Sequence, residues 1–278
     1  MTENQPGAES VCPYSDETPK GKQVEKMFDS IAPAYDFMNT AMTFGLHRVW
    51  RKAALKRAFS SGGMRRAMLS ADGPRILDIA SGTGDVAIAM AKALDSYGLT
   101  GEITGADLSE GMLEIARKKA SALPAEIASM LTFEAGDCLN LSMADNTFDL
   151  VTVAYGVRNF QRLADGLKEM CRVLRPGGTI CILELSVPSF PPLRLGYNLY
   201  SRTLIPLTGR LISGDSRAYT YLPESIAACP QRKEMTALME AAGFIRCSYR
   251  SMTLGVVTLY LGEKPENNPE TSNEPQGL

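Results

Sequence analysis

Asp78 is a carboxylate inside an otherwise apolar run, Ile76-Leu77-Asp78-Ile79-Ala80, which delivers the backbone into Ser81-Gly82-Thr83-Gly84. A charge at such a position is costly unless something pairs with it. Gly82 and Gly84 let the main chain turn tightly and let a ligand lie against bare backbone, because no Cβ intervenes. The turn also satisfies the dinucleotide fingerprint, Gly82-x-Gly84-x-x-Ala87, so a nicotinamide dinucleotide and other nucleoside cofactors both fit at this point. Asp107 ends a second apolar run, Glu102-Ile-Thr-Gly-Ala-Asp107, where an acid can accept hydrogen bonds from both hydroxyls of a ribose. After a third run, Met130 to Ala135, comes Gly136-Asp137-Cys138, placed to meet an adenine edge.

Residues of these types need strands to hold them at one end of a sheet. Between Leu69 and Leu185 strand and helix patterns alternate, which argues for a parallel sheet covered on both faces. In such an open sheet a ligand sits beyond the carboxyl ends of the strands, and Gly82, Asp107, Asp137 and Ala154 all lie at those ends. Residues 21–263 read as this single domain. Within it, 21–60 form a helical lid with apolar residues at Val24, Met27, Phe28 and Ile31, a break at Pro33, and a second helix near Val49 to Ala58. The segment 186–229 interrupts the alternation. Gln231 to Ala242 reads as a helix closed by Gly243, followed by two strands, Phe244 to Ser251 and Leu254 to Leu261, that form a hairpin at the sheet edge. Residues 1–20 and 264–278 are polar and read as disordered tails.

Composition narrows the classes. A formal charge of −2 over 278 residues offers no global attraction to nucleic acid, and no dense basic block stands out. Six cysteines are scattered without a Cys-x-x-Cys pair, and the chain has one histidine, so a zinc site or disulfide framework is not expected and reduced thiols in a cytosol fit best. No apolar run approaches the roughly 18 residues of a membrane span, and the polar N-terminus does not read as a signal peptide. The expectation is a cytoplasmic protein, soluble or peripheral on the inner face of a membrane.

The ordered set, from the Asp78 turn through Asp107, Asp137-Cys138, Thr147 to Ala154 and Arg172-Val-Leu-Arg-Pro-Gly-Gly178, resembles the class I S-adenosylmethionine-dependent methyltransferases. That resemblance implies a Rossmann-like α/β fold of seven strands in the order 3-2-1-4-5-7-6, strand seven antiparallel. It also implies S-adenosyl-L-methionine as cofactor. Three further segments narrow it: Tyr35-Asp-Phe-Met-Asn39 with Phe44-Gly-Leu-His-Arg-Val-Trp50, Tyr155-Gly-Val-Arg-Asn159, and Ser213 to Ser225. Over about residues 22 to 263 the chain closely resembles the ubiquinone/menaquinone-biosynthesis C-methyltransferases, which methylate a ring carbon of a polyprenyl quinol. The implied acceptor is the naphthoquinol of menaquinone biosynthesis, with the benzoquinol of the ubiquinone pathway as the alternative.

Carried over by that resemblance, Asp78 with Gly82, Thr83 and Gly84 holds the methionine part, Asp107 the ribose, and Asp137-Cys138 lie near the adenine. The family often has a serine where this chain has Ala154. A quinol carbon becomes nucleophilic when its neighbouring hydroxyl loses a proton, so the site needs a base and a donor or cation for the phenolate. Arg158 is expected to orient the phenolate or a water, with Asn159 as its hydrogen-bonding partner; the plainer account of Arg158 is a surface ion pair. Tyr35 and Asp36 read as lid residues, His47 as lining the site or as a cap, Trp50 as core, and Asp85 as a first-turn helix acid. Two other classes stay open: a nicotinamide oxidoreductase, and an inert protein that keeps the nucleoside pocket.

In the segment after Pro188, Leu193, Tyr197, Tyr200, Leu204, Leu207 and Leu211 follow one helical stripe, which Pro206 and the off-stripe Leu195, Leu199 and Ile205 interrupt. The stripe packs on the sheet or across a homodimer interface, or it forms a lid that admits the polyprenyl tail and transiently touches the membrane surface.

Overall fold

The run Phe148–Ala154 is buried at every position but its last, as a central parallel strand must be when helices cover both of its faces. The computed structural model of the chain describes residues 7–14, 16–200, 203 and 216–266. The strands are β1 (Arg75–Ile79), β2 (Glu102–Asp107), β3 (Leu131–Ala135), β4 (Phe148–Ala154), β5 (Leu174–Leu185), β6 (Ile245–Met252) and β7 (Val257–Glu263). They form one sheet in the order β3-β2-β1-β4-β5-β7-β6, with β7 antiparallel to both neighbours, as the class I resemblance implied. The terminal hairpin therefore inserts β7 beside β5 and leaves β6 at the edge. Arg246 and Arg250 are exposed on that edge, where charge opposes pairing with another chain.

Side chains alternate across the central strands and divide the core. Ile76 and Leu150 pack with Trp50, Ala87 and Met90; Leu77, Ile79, Val151 and Val153 pack with Leu167, Met170 and Met239 on the other face. The helices that supply these layers are α1 (Lys20–Ile31), α2 (Tyr35–Thr43), α3 (Leu46–Phe59), α4 (Gly62–Met68), α5 (Asp85–Ser96), α6 (Glu110–Ser121), α7 (Ala125–Ala128), α8 (Leu163–Val173), α9 (Pro191–Leu199), α10 (Ser216–Ala228) and α11 (Lys233–Ala241). Pro33 sits in a short 3₁₀ turn between α1 and α2, and the left-handed pair Phe44-Gly45 turns α2 into α3. The lid region thus holds three helices up to Phe59 rather than two. Gly243, at φ +102°, follows the end of α11 as expected.

Parts of the N-terminal stretch read as a tail pack on the domain. Ala8 is buried, Glu9 accepts the Leu163 N–H at 3.0 Å, and the buried Lys20 ammonium donates to the Ala8 and Arg158 carbonyls at 2.5 and 3.1 Å. Its polar groups bond to protein main chain instead of water, which composition alone does not reveal. Lys264 likewise extends the sheet, exchanging backbone hydrogen bonds with Gly177 and Gly178. Residues 1–6 and 267–278 lie outside the described residues, as do Leu204, Ile205, Pro206, Leu207 and Leu211 in and beside the proposed stripe. Within α9 and just after it, Tyr197 and Tyr200 turn toward an internal cavity, and it is the off-stripe Leu195 and Leu199 that are exposed.

Candidate active site

The carboxyl ends of β1, β2 and β4 open onto two cavities, of about 340 and 350 Å³. Both are lined by Ala80, Gly82, Ala154, Tyr155, Asn159, Phe28 and Tyr35, so they are two lobes of one site. Ala80 and Tyr155, the residues that follow β1 and β4, take φ of +53° and +60°. Non-glycine residues in that region cost about 1–2 kcal/mol each and cluster at functional sites.

Gly82 and Gly84 differ in role. A Cβ on Gly82 would meet nothing within 4 Å, so this glycine keeps open a surface shared by the two lobes. Gly84 lines neither lobe; a Cβ there would stand 2.8 Å from Phe133 Cζ and 2.9 Å from Ala116 Cβ. Its Cβ direction is taken up by helix–strand packing. With φ of +55° and +79°, both positions favour glycine, but only the second is also crowded. Gly84→Ala is expected to lose about 2–4 kcal/mol of stability, against about 1–2 for Gly82→Ala, in urea unfolding. Equal losses would show that Phe133 and Ala116 yield freely.

One lobe is lined by Asp107, Asp137 and Cys138 together with Leu108, Gly136 and Leu139. The Asp107 carboxylate accepts the Gly82 N–H at 2.8 Å and the Ser109 N–H at 2.9 Å, which fixes its orientation, and burial raises its pKa against those hydrogen bonds. Asp137 accepts the Leu139 N–H at 2.9 Å, and Cys138 is buried, its thiol pushed up by burial.

The other lobe takes in the strand acid and is largely apolar, with Met27, Met38, Met42, Phe44 and Tyr197 in its wall. Asp78 pairs in register with Thr152, whose hydroxyl donates to Asp78 Oδ1 at 2.6 Å. Asp78 Oδ2 is buried with no partner. Burial raises this carboxyl to about 7, and the Thr152 hydroxyl opposes that rise only in part.

Arg158 also lines this lobe but is no surface ion pair. It is 6% exposed and binds Glu184 Oε1 at 2.7 Å, with a further hydrogen bond from its guanidinium to the Tyr155 carbonyl. Asn159 does not partner it: Asn159 Oδ1 accepts from the Tyr221 hydroxyl at 3.1 Å, because the short 3₁₀ turn over Val157–Asn159 points the two side chains apart in their bonding. Arg158 Nε and the Tyr155 hydroxyl are buried donors left without partners. Glu184, the partner of Arg158, carries the same sequence signal as Asp78, an acid within an apolar strand, and the sequence reading did not single it out.

The start of α2 docks on the glycine turn through charge. Thr83 donates to Asp36 Oδ1 at 2.7 Å, and Lys119 reaches Asp36, Thr83 and Asp85 at 2.5, 2.9 and 2.8 Å. Arg51 completes the chain to Asp85 at 2.5 Å, so Asp85 is more than a first-turn acid. His47 lines the lobe with its Nδ1 2.7 Å from the Thr43 hydroxyl; burial, then Arg51 and Arg48, lower its pKa. Trp50 is core, as expected, and its indole N–H donates to Thr253 at 2.7 Å.

A family model, the ubiE/COQ5 methyltransferase family, matches residues 16–264. A demethylmenaquinone methyltransferase of Porphyromonas gingivalis is 44% identical over 257 residues, covering 92% of this chain and 98% of its own. The ubiquinone/menaquinone biosynthesis C-methyltransferase UbiE of Geotalea daltonii is 39% identical, over 89% of this chain and 98% of its own. Among solved structures, the [4+2]-cyclase SpnF shares the fold at a TM-score of 0.64 and 16% identity, over 90% of this chain and 98% of that one. S-adenosyl-L-methionine is the methyl donor of the family, and the nicotinamide alternative falls away. By a match that spans nearly the whole described chain, this protein belongs to the ubiE/COQ5 methyltransferase family.

Proposed function

We propose that the protein transfers the methyl group of S-adenosyl-L-methionine to a ring carbon of a polyprenyl quinol, demethylmenaquinol in the first place. The observation that carries this reading is the pairing of the two lobes. One is lined by acids and backbone suited to a nucleoside, and the other is a largely apolar chamber lined by Arg158, which pairs with the buried Glu184 behind it. In this reading Asp107 takes the ribose hydroxyls, Asp137 and Cys138 border the adenine, and Asp78 with Gly82 and Thr83 holds the methionine end. The unpartnered Asp78 Oδ2 fits a cationic group. The bound cofactor supplies an electrophilic methyl, so the protein has to orient the acceptor, exclude water and stabilise charge on the quinol oxygen. Arg158 holds that oxygen as the hydroxyl proton leaves. Asn159, fixed by Tyr221, lines both lobes and so borders the acceptor where they meet. The tail leaves the chamber between α2 and α9, and the enzyme works from the cytoplasmic side at the membrane surface. None of the described helices is long and apolar enough to cross a membrane.

The test is methyl transfer from labelled cofactor to short-tailed demethylmenaquinol and to the matching benzoquinol, beside equilibrium binding of the cofactor. Cofactor binding with no transfer to either quinol would leave an inert binder and end this proposal.

The Asp78 carboxyl makes the reading pH-sensitive. In the free protein Asp78 is protonated below about pH 7, and a cation on Oδ2 favours the ionised form. Cofactor binding should then release a proton and tighten as pH rises toward about 7, by up to about ten-fold per pH unit, and level off above it. Calorimetric Kd values across pH check this. Asp78→Asn should flatten the profile; an equal slope in wild type and variant assigns it to another group.

A further inference from the structure

We infer that the face formed by α3, the α2–α3 corner and α9 docks on an anionic bilayer surface and turns the mouth of the acceptor lobe toward the lipid. The inference rests on the quinol reading and names the surface that reading requires.

Charge is the first argument. Residues 37–71 hold seven arginines and lysines and no acid, in a chain whose net charge is −2. Arg51 is paired with Asp85, and Arg66 with Glu266. Arg48, Lys52, Lys56, Arg57 and Arg65 are exposed, and the structure gives them no ion pair among the described residues. Spaced along the chain they make no block, but Arg48, Lys52 and Lys56 repeat at i, i+4, i+8 and so share one row of α3.

Exposed apolar side chains flank that row. Phe37, Phe44 and Val49 are 63%, 81% and 62% exposed on α2, its corner and α3; Leu195 and Leu199 are 74% and 67% exposed on α9. The two patches meet, because the Tyr200 hydroxyl donates to the Met42 carbonyl at 2.6 Å. Met42, Phe44, Leu46, Tyr197 and Tyr200, from the same elements as the two patches or next to them in the chain, line the acceptor lobe, so the patches lie beside it. Apolar groups beside cations suit the boundary between acyl chains and anionic head groups. A second copy suits it poorly: a two-fold interface brings the same patch against itself and would oppose these cations. The membrane contact thus moves from the stripe of Tyr197 and Tyr200, which faces inward, to the residues that interrupt it.

The experiment is co-sedimentation with vesicles of phosphatidylcholine alone or mixed with phosphatidylglycerol, together with turnover of long-tailed quinol in those vesicles and of a short-tailed quinol in solution. Two double variants avoid every residue that lines the cavity: Lys52→Glu with Lys56→Glu, and Val49→Ser with Leu195→Ser. Wild type should partition onto the anionic vesicles and release at high salt. The charge variant should bind them at least about ten-fold more weakly, and the apolar variant should also bind them more weakly. Both should lose long-tail turnover and keep kcat on the soluble quinol. Vesicle binding equal to wild type overturns the docking face, as does a change confined to self-association in sedimentation equilibrium. Failure of wild type on the soluble quinol would sink the quinol reading itself, whatever the vesicles show.

Discussion

Replacing Arg158 with alanine should lower kcat by about 10²-fold or more while leaving cofactor affinity nearly intact, as expected of a group that acts chiefly on charge developing in the transition state. The structure adds a second consequence. Arg158 and Glu184 are 6% and 2% exposed, so truncation strands a buried carboxylate. Breaking a buried pair from one side costs about 3–5 kcal/mol of stability, and the alanine variant has to be assayed where it is shown to be folded. Arg158→Lys with Glu184→Gln keeps volume and separates the two effects. The lysine should retain charge but displace it from the position of Arg158 Nη1, which by itself reaches both Glu184 and the Tyr155 carbonyl, so kcat falls with a smaller loss of stability. Glu184→Gln should lower kcat without touching the cofactor, by loosening Arg158. A loss confined to cofactor affinity in calorimetry would move Arg158 to the binding shell and refute its role in transfer.

Asp107→Ala should weaken S-adenosyl-L-methionine binding by about ten-fold or more, since two ribose hydroxyls would be left without their acceptor. The same carboxylate holds the Gly82 and Ser109 N–H groups, so its removal also frees the glycine turn. Asp107→Asn keeps one carbonyl acceptor and should lose less than alanine. Unchanged calorimetric affinity in a folded alanine variant would reject the ribose assignment.

Much of this arrangement was legible in the chain because it depends on local pattern. Alternating strand and helix signals, with one acid in the first strand and another closing the second, place Asp78 and Asp107 at the carboxyl end of a parallel sheet, where period-two burial and short βα turns leave few alternatives. Partnerships between elements were not legible. Arg158 meets Glu184 across 26 residues because β4 and β5 pair in parallel with Ala154 opposite Leu183, a register that sets the end of one strand beside the end of the other. Thr83 meets Asp36 across 47 residues only once α2 folds back over the turn. Gly84 and Gly82 look alike as letters, and only the neighbouring Phe133 distinguishes a packing glycine from one that borders the cavity. In α9 the helical stripe was visible, but its direction was not. Periodicity defines which residues share a face, while the side that meets the cavity is decided by what the helix packs against, here the carboxyl end of α2.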